Sequence, residues 1–66
     1  MRVDVFCGGS DEPFVYDVSV DRARSAVASF RRGMGFQFET VLENGAKKVA
    51  YFNPSRVDAI QLWEEK

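Results

Sequence analysis

The chain has no histidine, a single cysteine and only two prolines in 66 residues. Without histidine, the usual base that activates a cysteine nucleophile is missing. One cysteine excludes a disulfide within the chain, and one cysteine without histidine nearly excludes a structural zinc site. Charge of one sign is lacking as well. Nine Lys and Arg face ten Asp and Glu, for a net charge of −1, so nothing global directs the chain to nucleic acid or to an anionic membrane. Met1-Arg2-Val3-Asp4 lacks an apolar signal-peptide core, and no apolar run approaches membrane-spanning length. These absences predict a cytoplasmic protein with no membrane association, cofactor or metal, whose lone thiol suits a reducing compartment.

What is present predicts a folded chain. The sequence is 45% hydrophobic and 14% aromatic, far from the composition of disordered segments. At this length, burial worth roughly 25 cal/mol per Å² nearly cancels an ordering cost of about 1.5 kcal/mol per residue. With disulfides excluded and a zinc site nearly so, what remains is tight packing or a homo-oligomer.

Alternation organises most of the chain. Val3, Val5 and Cys7 alternate with Arg2, Asp4 and Phe6 as a first strand. Gly8-Gly9-Ser10-Asp11-Glu12-Pro13 is a loop. Phe14, Tyr16, Val18 and Val20 form the apolar row of a second strand, expected to pair antiparallel with Val3 opposite Val18 and Val5 opposite Tyr16. Asp21 is a good N-cap for a helix over residues 22–32, in which Ala23, Ala26, Val27, Phe30 and Met34 recur at the spacing of one buried stripe. Gly33 or Gly35 can end that helix.

Asn44-Gly45 between two alternating segments is a strong hairpin signal. A two-residue turn there sets Phe38 opposite Tyr51 and Leu42 opposite Lys47. It assigns Phe36, Phe38, Leu42 and Tyr51 to the core and leaves Val41 and Phe52 on the other face. Asn53-Pro54 could start a helix, but Ile60 and Leu62 alternate with Val57, Ala59, Gln61 and Trp63. Residues 53–56 are therefore read as a tight turn and residues 57–64 as a last strand. The expected fold is α+β in the order β-β-α-β-β-β, a single domain with a five-stranded, mainly antiparallel sheet and one helix packed on a face.

Four constellations carry candidate chemistry. Cys7-Gly8-Gly9-Ser10 could pair a thiol with a nest of N–H groups. It lacks a base, however, and the neighbouring Asp4 and Asp11 would raise the thiol pKa, so Cys7 is read as a packing residue. Asp11, Glu12, Asp17 and Asp21 match no calcium-loop pattern and read as solvated or capping carboxylates. The segment from Arg22 to Arg32 carries +4 and no acid, which leaves −5 for the remainder. Its outer arginines Arg24, Arg31 and Arg32 could contact an acidic protein partner or phosphate. Finally, Val15, Val41, Phe52, Val57 and Trp63 fall on sheet faces that one helix cannot cover, the composition of an interface core.

No residue set combines nucleophile, base and electrostatic stabiliser, so an enzyme is not expected. The leading expectation is a protein-binding module that associates with itself and keeps an arginine face for an acidic partner. A nucleic-acid-associated regulatory protein that uses the same arginines is the weaker reading. An accessory or inhibitor protein of a bacterium or phage would also suit so short a chain.

Overall fold

The computed structural model describes residues 1–64. The order β-β-α-β-β-β holds, with β1 (Arg2–Cys7), β2 (Phe14–Asp17), α1 (Val20–Arg31), β3 (Phe36–Val41), β4 (Lys47–Phe52) and β5 (Val57–Trp63). The strands, expected in one sheet, divide into an antiparallel sheet β2-β1-β5 and a hairpin β3-β4. The core joins the inner face of the three-stranded sheet (Val3, Val5, Val57), the helix stripe (Ala23, Ala26) and the hairpin (Phe36, Phe38, Phe52).

The helix begins earlier than the sequence suggests. Ser19, still extended, is the N-cap, and its Oγ accepts from the Arg22 N–H at 3.2 Å. Asp21 lies inside the first turn instead, where its negative charge favours the helix dipole. At the other end, Gly33 (φ +72°) donates to Phe30 O at 3.0 Å and Met34 to Ser29 O at 2.8 Å. This Schellman closure ends the stripe before Met34, which is exposed rather than buried.

The first two strands pair two residues away from the expected register, with Val3 opposite Tyr16 and Val5 opposite Phe14. An even slip keeps every side chain on its face. The hairpin slips by one residue, and that changes the core. Leu42 N–H donates to Ala46 O at 2.8 Å, and Gly45 N–H to Leu42 O at 2.9 Å. The loop is therefore three residues, Glu43-Asn44-Gly45, with only Gly45 at positive φ (+83°). A two-residue type I′ turn would need positive φ at Asn44 too, whereas a type I turn followed by a left-handed glycine needs it once. Phe36 now faces Phe52 and Phe38 faces Ala50. Phe52, expected on the open face, is 9% exposed, while Tyr51, expected in the core, is 76% exposed. Leu42 is also left largely exposed.

Residues 53–56 turn tightly, as the sequence predicts. Asn53 Oδ1 accepts from the Ser55 N–H at 3.1 Å and caps a single 3-10 turn, Pro54–Arg56, before β5. Val57, also expected on the open face, is buried instead. Phe6 pairs with Ala59 but Cys7 with Val57, so Asp58 is the extra residue of a bulge that turns Val57 inward.

The register makes a direct test. Phe52→Ala should cost about 3–5 kcal/mol, whereas Tyr51→Ala should change stability by about 0.5 kcal/mol or less. Urea denaturation of the two variants reads the difference, and the two-residue turn would reverse the order.

Candidate interaction surface

The alternation of β1 sends Arg2, Asp4 and Phe6 to the outer face of the three-stranded sheet, opposite the core residues Val3 and Val5. Pairing with β2 and β5 brings Val15 and Asp17, and Ala59, Gln61 and Trp63, onto that face. Arg2 lies directly across from Trp63, and Asp4 stands between Val15 and Gln61.

These side chains form a closed polar cluster. Arg2 Nε donates to Asp4 Oδ1 at 2.9 Å and Arg2 Nη2 to Asp4 Oδ2 at 3.3 Å. The indole Nε1–H of Trp63 donates to Asp4 Oδ2 at 2.8 Å. The Arg2 guanidinium lies 5.2 Å from the centre of the Trp63 ring, in reach of a cation–π contact. Asp4 is 2% exposed, and Arg2 and Trp63 are its side-chain partners among the described residues. The Arg2 hydrogen bond, chiefly, holds its carboxyl below the ordinary value of 3.8; burial works against it, and the Trp63 bond and the Arg2 charge add to it. The Trp63 ring, half exposed, is thus fixed in orientation from beneath.

Of the interface residues expected from sequence, the structure brings Val15 and Trp63 together on this face and places Val41, exposed, on the hairpin. Phe52 and Val57 belong to the core. Arg2 and Asp4, which organise the face, escaped sequence reasoning. Their alternation was visible, but their partner Trp63 lies at the far end of the chain.

Arg24, Arg31 and Arg32 are exposed and form no ion pair among the described residues. Arg24 borders an open depression with Arg2, Val15, Asp17, Val20 and Glu64, which links the helix to the outer sheet face. Arg31 lies two turns further along, roughly 10 Å of helix rise away.

The glycine loop already holds an anion, and it is the chain's own. Gly9 N–H donates to the Asp58 carboxylate at 2.7 Å. Burial first, and then the charge of Asp58, push the Cys7 thiol above its ordinary value of 9.0. The acid that acts on the thiol is Asp58, rather than Asp4 or Asp11, because β5 pairs beside β1. A thiol raised in this way is a poor nucleophile at neutral pH.

No helix of the described residues is long and apolar enough to cross a membrane, and no group of three metal-ligating side chains occurs among them. No protein-family model, curated protein or solved structure matches this chain.

Asp4 ionisation should be readable from the only tryptophan. A lowered carboxyl pKa contributes stability that is fully present above the unfolded value and is lost as pH falls through the folded one. Acid titration of Trp63 fluorescence should therefore show a midpoint below 3.8, and Asp4→Asn should remove that transition. A midpoint at or above the ordinary value would break the assignment. Separately, Cys7 should react with iodoacetamide at neutral pH more slowly than a free peptide cysteine, and Asp58→Asn should speed the reaction.

Proposed function

We propose that this chain is a small, non-enzymatic protein-binding module whose first partner is a second copy of itself. The observation that carries this reading is the Arg2–Asp4–Trp63 cluster on the outer face of the three-stranded sheet. Its charges satisfy each other within the chain, so covering the face strands none of them. Trp63 and Arg2 are residue types that dominate binding energy, and here they are ordered before any partner arrives. Phe6 and Val15 extend the apolar area beside them. The size of the domain supports the same reading, because association adds burial that a chain this short lacks.

The helix arginines Arg24, Arg31 and Arg32 remain available to an acidic protein surface. The acidic remainder of the chain disfavours a nucleic-acid duplex. The lone, unreactive thiol suits a cytoplasmic setting.

Light scattering after gel filtration tests the reading. A mass above the 7.5 kDa of one chain is expected at high micromolar concentration, with Trp63→Ala weakening association roughly tenfold or more. A strict monomer, or association untouched by Trp63→Ala, would overturn it.

A further inference from the structure

Each sheet has free edges, and they are guarded unequally. Natural sheets protect edges with short strands, proline, lysine, inward charge or bulges. β2 has only four residues, follows Pro13 and ends at Asp17. β3 carries Glu39, and β4 begins with Lys47 and Lys48. β5 is the longest strand, and its segment Ala59-Ile60-Gln61-Leu62-Trp63 holds no charge, proline or glycine. The one acid of the strand, Asp58, is drawn toward Gly9 beside β1, on the side away from the free edge.

The backbone groups that line this edge can be identified. Met1 and Val18 exchange both hydrogen bonds (Met1 N to Val18 O at 2.8 Å, Val18 N to Met1 O at 3.0 Å). Alternation then directs Val3 and Val5 to β2, and Arg2, Asp4 and Phe6 to β5. On β5, Trp63, Gln61 and Ala59 answer them. The N–H and C=O groups of Ile60 and Leu62 therefore point outward, and no backbone partner reaches them among the described residues.

We propose that two copies join antiparallel along β5, with Gln61 opposite Gln61 at a two-fold axis, into one six-stranded sheet β2-β1-β5-β5-β1-β2. The inference rests on the self-association reading and names its geometry. In this register Ile60 of each copy exchanges two hydrogen bonds with Leu62 of the other, which uses all the outward groups of the segment. Ala59 faces Trp63, so the indole has a small side chain to overhang. Ile60 and Leu62, half-buried on the inner face, gain apolar neighbours of the same kind. Any foreign strand would have to supply this complementarity, whereas a second copy has it by symmetry. The two outer faces merge, and both Trp63 clusters stand on one continuous surface.

The register predicts a specific cross-link. Gln61 facing Gln61 is a non-hydrogen-bonded pair with Cα atoms about 4.5 Å apart, inside the disulfide range of about 4.4–6.8 Å. In a Cys7→Ala background, Gln61→Cys should oxidise in air to a disulfide-linked dimer in near-quantitative yield. Ala59→Cys, whose two copies stand about 13 Å apart along the strands, should not. In the unaltered chain, amide exchange at Ile60 and Leu62 should slow as protein concentration rises. A monomeric mass at high concentration overturns self-association and the edge pairing together. An associated chain in which Gln61→Cys does not cross-link, Ala59→Cys cross-links equally well, or exchange at Ile60 and Leu62 is independent of concentration overturns the edge pairing alone.

Discussion

Phe52 is the ring on which the union of the two sheets depends. Among the described residues no strand pairing joins β3-β4 to β2-β1-β5, so side-chain packing must hold the two sheets together. Phe52 stacks on Phe36 across the hairpin at 5.1 Å and meets Phe14 and Tyr16 of the other sheet, each at 5.9 Å. Phe38 adds a second bridge to Tyr16 at 5.0 Å. Such aromatic pairs contribute about 0.5–1.5 kcal/mol beyond the area they bury. The helix buries only the small side chains Ala23 and Ala26, and adds half-buried Phe30 edge-on to Phe36 at 6.4 Å. Small residues there let the helix lie close while the phenyl rings fill the space between the sheets.

That arrangement hangs on one turn. With Gly45 left-handed as the last residue of a three-residue loop, Phe36, Phe38, Ala50 and Phe52 share a face. A one-residue change would exchange Phe52 for Tyr51 and bring the tyrosine hydroxyl toward an apolar interior, where it would need a partner. The choice between turn types is local and small in energy, and the burial of Phe52 weighs far more. Tertiary packing therefore selects the loop.

Most of the element order was legible because alternation and cap residues are local signals. Asn44-Gly45 marked the hairpin, the Gly33/Gly35 pair the helix end, and Asn53-Pro54 the turn into the last strand. What escaped was anything decided across the chain. Ser19 prevailed over Asp21 as the cap because β2 ends early enough to leave Ser19 extended at the junction. Val57 turned inward through a bulge that exists only when β5 lies against β1, since one residue of β5 has no counterpart there. The Asp4 cluster was hidden for the same reason: Arg2 and Trp63 become neighbours only through that pairing. The Asp58–Gly9 bond, which fills the glycine loop, also spans the length of the chain.

With Phe52 and Val57 in the core, the candidate surface is narrower but still present. The outer face of the hairpin mixes Val41, Val49 and Tyr51 with Gln37, Glu39 and Lys47, and neither charge has an ion-pair partner among the described residues. Covering that face would strip water from two uncompensated charges. On the three-stranded sheet, by contrast, Arg2 and Asp4 neutralise each other, Trp63 donates to the same carboxylate, and Asp17 pairs with the Met1 amine. Two faces of similar composition therefore differ in what it costs to cover them. The cheaper face belongs to the sheet whose β5 edge is unguarded, so pairing along that edge would set two copies of the face side by side.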